Sequence, residues 1–268
     1  MLQSDLIDSV KNISKEAGAA ILKVYQREGN VAVTSKEDDS PLTEADLVAH
    51  KIIVSALNEL TPEIPILSEE SEGISWAERQ AWTRYWLVDP LDGTKEFIKH
   101  NGEFTVNIAL IDNHVPVLGV VYVPVTSILY SGVLGKGAWK EEAGKETEIS
   151  VTLTSKLKGV KIIASRSHRG NELDAWLKNV EKYFSKVELL SMGSSIKICL
   201  VAEGKADIYP RLAHTAEWDT AAAQAILEAA GGILKDNEFA TYRYNQKENI
   251  LNPYFFAIGD INFDWQEF

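Results

Sequence analysis

Cys199 is the only cysteine in the 268-residue chain, so an intrachain disulfide and a cysteine-built metal centre are both excluded. Basic charge is also scarce: 27 Lys and Arg stand against 39 Asp and Glu, for a net charge of −12. A chain without surplus phosphate-neutralising charge argues against DNA or RNA as a bulk partner. A small anionic ligand stays open, provided local cations or a metal offset the charge. No apolar run reaches the roughly 18–20 residues of a membrane span. Met1-Leu2-Gln3-Ser4-Asp5 has neither the basic nor the apolar region of a signal peptide, so the expected address is the cytoplasm. His50, His100, His114, His168 and His214 show no metal-ligand spacing, which argues against zinc. Walker and G-x-G-x-x-G loops are missing, which removes the common nucleotide-binding loops.

What is present is an ordinary globular composition, 45% hydrophobic and 25% charged. The length suits one large domain or two fused subdomains. The chain is organised around Trp86-Leu87-Val88-Asp89-Pro90-Leu91-Asp92-Gly93-Thr94. Tyr85 to Val88 reads as a buried strand that ends at Asp89-Pro90, and Asp92-Gly93 forces a turn. Thr94 to Ile98 then has helical character. Asp89 and Asp92 therefore aim their carboxylates at one point, where they repel unless a cation lies between them. The following helix would direct free N–H groups into the same space, where an anion could bind. Taken alone, Asp-Pro and Asp-Gly are ordinary turn formers.

Leu6, Val10, Ile13, Ala17, Ile21 and Val24 recur at helical spacing, so the chain opens with an amphipathic helix ending near Gly29. Residues 31–41 read as a polar loop, and a second helix runs from Thr43 to about Leu60. Thr43 and Asp46 fit a capping box or a catalytic role equally well. Ile64 to Leu67 reads as a strand running into Ser68-Glu69-Glu70-Ser71-Glu72, a second acidic strand end beside the first. Ligands commonly bind beyond converging strand ends. Phe104 to Leu110, Val115 to Val125, Ser127 to Val133 and Ala138 to Glu141 read as an antiparallel meander, so this half is α+β. After a soft boundary near 145–160, strands and helices alternate, as in an α/β unit.

Trp218-Asp219-Thr220 opens a helix in which Asp219 suits the N-cap position. Met192-Gly193-Ser194-Ser195-Ile196-Lys197 places small residues at a helix start with a cation one turn in, which suits an anion. A Ser-capped helix with a solvated lysine is the plainer alternative. Ser165-Arg166-Ser167-His168-Arg169 supplies two guanidinium groups and an imidazole at another strand end. Cys199, within an apolar run, reads as core.

Together, strand-Ser-Glu-Glu-Ser, Asp-Pro-Leu-Asp-Gly-Thr and Trp-Asp-Thr-Ala-Ala, in that order over nearly the whole chain, resemble the inositol monophosphatase superfamily. Within it, Asp-Gly-Thr-Lys-Glu-Phe at 92–97, the run from Gly193 to Gly204 and Tyr-Pro-Arg at 209–211 resemble the bacterial bisphosphate nucleotidases of sulfate assimilation. The resemblance implies a layered α-β-α-β-α sandwich of α+β class. Residues 1–150 would form a subdomain carrying the metal-site core, and residues 151–268 a subdomain carrying substrate recognition and the fourth acidic ligand. Glu69, Asp89, Asp92 and Asp219 match the family's side-chain ligands for Mg²⁺, two or more ions, and Leu91 matches its carbonyl ligand. Hard oxygen ligands are what Mg²⁺ requires. Asp46 and Thr94 match the pair that activates the attacking water, with Glu70 behind them. Gly93 and Thr94 would offer N–H groups to the scissile phosphate. Gly193, Ser194, Ser195, Lys197 and Arg211, with Ser167 and His168, would hold the nucleoside and its second phosphate.

The expected activity is hydrolysis of adenosine 3′,5′-bisphosphate to AMP and phosphate, and also of 3′-phosphoadenylyl sulfate. An inositol monophosphatase and a catalytically inactive anion-binding module are the alternatives. The resemblance further implies a monomer, inhibition by Li⁺ and a loose association with the inner membrane face.

Overall fold

The computed structural model describes residues 3–27, 33–35, 41–165 and 170–268. Helix α1 (Gln3–Tyr25) buries Leu6, Val10, Ile13, Ala17, Ile21 and Val24, the stripe its spacing predicts. The short strands β1 (Val33–Ser35) and β2 (Pro41–Thr43) pair antiparallel and lead into α2 (Glu44–Leu60), which buries Ala45, Ala49, Ile53 and Leu57. Helix α1 ends at Tyr25, four residues before the expected end near Gly29. Within the predicted loop at 31–41, Val33–Ser35 form β1 and Pro41 begins β2; the rest of that loop lies outside the described residues.

A seven-stranded sheet follows, in the order β3 (Ile66–Ser68), β4 (Arg84–Asp92), β5 (Thr105–Asp112), β6 (Val115–Val123), β7 (Ile128–Val133), β8 (Gly137–Glu142) and β9 (Lys145–Ile149). Strands β4 to β9 form the expected antiparallel meander, while β3 runs parallel to β4. The short helices α3 (Trp76–Arg79) and α4 (Thr94–Ile98) flank β4. Both faces of its central strands β4 to β7 are covered, so these are mostly apolar along their length. Trp86, Val88, Val106, Ile108 and Leu110 join the core under α1 and α2. Tyr85, Leu87, Ala109 and Ile111 point the other way.

On that second face lies α7 (Glu217–Ala229), although it comes from the far end of the chain. Its Ala221, Ala222, Ala223 and Ala225 are fully or almost fully buried, and small side chains let it sit close. The approach is tight: a Cβ on Gly119 of β6 would come within 2.1 Å of the Ala222 carbonyl oxygen, and one on Gly132 of β7 within 2.7 Å of Ile226 Cα. Helix α6 (Ile196–Ala202) packs beside α7. The five-stranded sheet beyond has the order β11 (Val187–Met192), β10 (Val160–Ser165), β12 (Ile208–Arg211), β14 (Phe255–Ile258), β13 (Ile233–Asp236). Its outer face is covered by α5 (Asn171–Val180) through Leu173, Trp176, Leu177 and Val180. The layers are thus α, β, α, β, α, and the class is α+β.

Several boundaries differ from the sequence reading. Strand β4 does not stop at Val88; it continues to Asp92 through a register shift between Asp89 and Asp92. Pro90 lies in that irregular stretch, where no ladder donor is needed. Strand β9, Lys-Glu-Thr-Glu-Ile, has no apolar alternation and gives no sequence signal. The second sheet is mixed: β10 is parallel to β11 and β12, but β14 runs antiparallel to β12 and β13.

Candidate active site

The irregular end of β4 folds the Asp89 carboxylate back onto its own strand, where Oδ1 accepts from Leu91 N at 3.0 Å. Glu69 follows β3 and is tied to β4 by its N–H, which donates to Val88 O at 3.0 Å. Glu70 is next in the same turn. Helix α7 brings in Asp219. Carboxylate oxygens of Asp89, Asp92 and Asp219 lie within 4.8 Å of one another. Asp89 is almost wholly buried; Asp92 and Asp219 keep part of their surface open.

Burial pushes the Asp89 carboxyl well above the usual range, and the charges of Glu69, Asp92 and Asp219 push it further. Asp219 is raised for the same reasons, burial first and then Asp92 and Glu69. Burial also lifts Asp92, to about 6, against the opposing pull of Lys197 and of the Ser195 N–H. Carboxylates that converge on one point and raise one another in this way are relieved by a cation between them. An all-oxygen set of this kind fits a hard divalent cation such as Mg²⁺.

Asp219 is not the N-cap that its sequence context suggests. Helix α7 starts two residues earlier, Ala216 is the N-cap, and Asp219 accepts from Ala216 N at 2.9 Å. That leaves Asp219 in the first turn of the helix, with its carboxylate close to those of Asp89 and Asp92. For Thr43 and Asp46 the capping box forms: Asp46 Oδ2 accepts from Thr43 N at 2.8 Å and from Thr43 Oγ1 at 2.5 Å. The other oxygen, Oδ1, accepts from Thr94 Oγ1 at 3.3 Å. The same hydroxyl lies 3.4 Å from the Leu91 carbonyl. Capping therefore fixes Asp46 without using the oxygen that faces Thr94. Gly93 adopts φ 98°, and a Cβ there would come within 3.0 Å of Glu103 O. Glycine alone suits both the angle and the space.

A cleft of about 350 Å³ opens over these groups, lined by Glu69, Asp92, Gly93, Thr94 and Asp219. Gly193, Ser194, Ser195, Lys197 and Arg211 line it too. Lys197 is not a solvated lysine: it is 5% exposed. Its Nζ donates to Ser194 O at 2.5 Å and lies 5.3 Å from the Tyr209 ring centre. Burial lowers its pKa to about 8, with Arg211 acting the same way and Asp92 opposing. Arg211 is 8% exposed, donates from Nη2 to His214 O at 3.0 Å, and has a buried Nε without a hydrogen-bond partner.

The loop before α6 is less open than its small residues suggest. Ser195 is not a helix-capping side chain; its hydroxyl joins Thr105 and Asn107, each at 2.9 Å. Its N–H donates to Asp92 Oδ2 at 2.6 Å, and Gly193 N donates to Glu103 Oε2 at 2.7 Å. Glu103, Thr105 and Asn107 thus complete the site, and no local pattern marks them, because their partners are far along the chain. Ser167 and His168 lie outside the described residues.

Comparison with known proteins gives a consistent result. The inositol monophosphatase family profile matches residues 2–253. A 3′(2′),5′-bisphosphate nucleotidase CysQ of Escherichia coli strain K12 is 48% identical over 250 residues, covering 93% of this chain and 98% of that protein. The protein of the same name from Haemophilus influenzae is 36% identical over 265 residues, covering 99% and 97%. Among solved structures, CysQ from Bacteroides thetaiotaomicron, described as a bacterial member of the inositol monophosphatase family, superposes with a TM-score of 0.85. It is 44% identical and covers 96% of this chain and 98% of its own.

Proposed function

The chain belongs to the inositol monophosphatase family, and from that premise we propose that it is a Mg²⁺-dependent 3′(2′),5′-bisphosphate nucleotidase. Its substrate is adenosine 3′,5′-bisphosphate, which it converts to AMP and inorganic phosphate; the 3′-phosphate of 3′-phosphoadenylyl sulfate is a second target. The 48% identity to a bisphosphate nucleotidase over 93% of the chain supports the reading. The observation that carries it is one cleft lined both by acids of the cluster and by the buried cations Lys197 and Arg211. A simple monoester needs only the acids. A substrate with a second phosphate uses the cations as well.

Glu69, Asp89, Asp92 and Asp219, with the Leu91 carbonyl, would hold two Mg²⁺ ions, and Glu70 would support them. Bound there, the ions would offset the phosphate dianion, make a water nucleophilic near neutral pH and stabilise the departing oxygen. Thr94 donates its only hydroxyl proton toward Asp46, so its oxygen is free to accept from the attacking water. Asp46, held by Thr43, keeps that hydroxyl oriented and accepts its proton as the Thr94 oxygen takes one from the water. Gly93 and Thr94 border the position of the scissile phosphate. Lys197 and Arg211 place the other phosphate, and Gly193, Ser194 and Ser195 shape the wall between. The test is phosphate release from adenosine 3′,5′-bisphosphate after chelation. Activity should vanish with EDTA and return with Mg²⁺. Release that survives chelation would contradict the reading.

A further inference from the structure

Asp219 is delivered by the first turn of α7, yet that turn has no side-chain cap, because Ala216 offers no side-chain oxygen. A distant segment, 245–252, closes it instead. Asn252 N donates to Thr215 O at 2.8 Å. Its side-chain amide reaches Thr215 Oγ1 at 3.0 Å, Ala216 O at 2.6 Å and Thr220 Oγ1 at 3.1 Å. Glu217 N donates to Ile250 O at 3.0 Å, and both Glu217 carboxylate oxygens accept from Asn245 N at 3.0 Å. Asn245 is in turn clasped by Arg79: Nη1 donates to its Oδ1 at 2.6 Å, and its Nδ2 donates to Arg79 O at 2.6 Å. Arg79 also donates to Lys247 O at 3.1 Å and to Glu248 O.

Arg79, Glu217, Asn245 and Asn252 are all at most 5% exposed. Burying such groups is costly unless each is paired, and a well-paired polar network fixes one geometry. The rest of α7 is seated mainly by apolar contacts with the sheet, with a further buried polar contact from the Tyr244 hydroxyl to Gln224 Oε1 at 2.6 Å. Polar clamping is concentrated on the turn that presents Asp219. Glu217 itself does not line the cleft.

We propose that Glu217 and Asn252 are positioning residues that clamp the first turn of α7, hold the Asp219 carboxylate against Asp89 and Asp92, and thereby set the site's affinity for a divalent cation. This rests on the metal reading above. Partners that orient a ligand in this way commonly change metal affinity about 10- to 100-fold when removed.

The experiment is direct Mn²⁺ binding to the substrate-free protein, by titration calorimetry or by the loss of the free-ion electron paramagnetic resonance signal. Wild type, Glu217→Ala, Glu217→Gln and Asn252→Ala are compared, with melting temperatures measured without metal. Leu177→Ala, in the outer helix α5, serves as a destabilised control. The two alanine variants at the clamp should bind Mn²⁺ about tenfold or more weakly. Gln, which keeps an acceptor for Asn245 N–H, should restore most of the affinity lost in Glu217→Ala. The control should melt earlier and bind Mn²⁺ as wild type does. Should Glu217→Ala fail to fold, Asn252→Ala decides alone. Wild-type affinity in the folded clamp variants, whatever their melting temperatures, would overturn the inference. Absence of Mn²⁺ binding by wild type would instead overturn the metal reading.

Discussion

The backbone N–H of Ser195 donates to Asp92 Oδ2 at 2.6 Å, so a residue leading into α6 orients a carboxylate at the end of β4. The acidic site is therefore assembled across both sheets, with Asp219 arriving from α7 between them. Asp92 is the residue touched from both sides. Replacing it by Asn keeps an oxygen for the Ser195 N–H but removes the charge. Asp92→Asn is expected to lower kcat by at least about 10²–10³-fold, the scale of one lost electrostatic contact to a transition state. Far-ultraviolet circular dichroism and melting should show an intact fold. Phosphate release near the wild-type rate would remove Asp92 from the proposed metal site.

Thr94 has one hydroxyl proton, and Asp46 Oδ1 lies 3.3 Å from its oxygen. Thr94→Ala should reduce kcat by about 10²–10⁴-fold, as loss of a proton-handling group does, while Mn²⁺ affinity stays within a few-fold of wild type. Thr94→Ser keeps the hydroxyl and should recover most of the rate. A Ser variant as slow as the Ala variant would argue that the methyl, not the hydroxyl, matters.

Lys197 is buried beside the cleft, close enough to Asp92 for the two charges to act on each other, with its pKa lowered to about 8. A charge-assisted hydrogen bond contributes about 1.5–3 kcal/mol, so Lys197→Ala should raise KM for adenosine 3′,5′-bisphosphate roughly 10- to 100-fold. Loss on a simple monophosphate should be much smaller. Because the charged form is lost as pH rises through about 8, KM for the nucleotide should climb in that range, and in the Ala variant this climb should disappear. Equal losses on both substrates would remove the nucleotide role.

Asp89 and Asp219 have raised pKa values, and Asp92 is lifted to about 6, against roughly 3.9 in an unfolded chain. Above pH ~4 the metal-free fold then binds more protons than the unfolded chain, so its stability falls as pH rises through these folded values. A cation must displace the same protons, so its stabilisation runs the opposite way. At Mg²⁺ about 100 times Kd the gain is about 2.7 kcal/mol, and it should be larger at pH 8 than at pH 5.5. Differential scanning calorimetry with and without Mg²⁺ reads both trends. A Mg²⁺ shift in melting temperature that is larger at pH 5.5 would contradict the carboxylate site.

The seat of α7 offers a test far from the chemistry. A Cβ on Gly119 would meet the Ala222 carbonyl oxygen at 2.1 Å, which is main chain and cannot rotate away. Gly119→Ala should cost about 1–3 kcal/mol of stability, as overpacking does. It should also weaken Mn²⁺ binding, because lifting α7 moves Asp219. Unchanged stability would show that the helix rides more loosely than the structure has it.

What the sequence made legible follows range along the chain. The apolar stripe of α1, the meander and the convergence of Asp89, Asp92 and Asp219 rest on local spacing or on three compact motifs, and the structure has them. The sequence puts the α7 cap at Asp219, three residues past the true cap, because Ala216, with no side-chain acceptor, is a poor cap; the turn is closed by Asn252 instead. Ser195 looks like a free helix cap because its partners, Thr105 and Asn107, are about ninety positions away. The Arg79–Asn245 clasp is similarly remote, at 166 positions. A single sequence without coupled positions gives no hint of such pairs.

The most direct test of the central claim is phosphate release with Mg²⁺ from adenosine 3′,5′-bisphosphate and from inositol 1-phosphate, side by side under one set of conditions. The kcat/KM for the nucleotide is expected to be at least about tenfold higher, since each 1.4 kcal/mol of added transition-state binding is a factor of ten. Preference for the inositol ester would contradict the role of Lys197 and Arg211 as a second phosphate site.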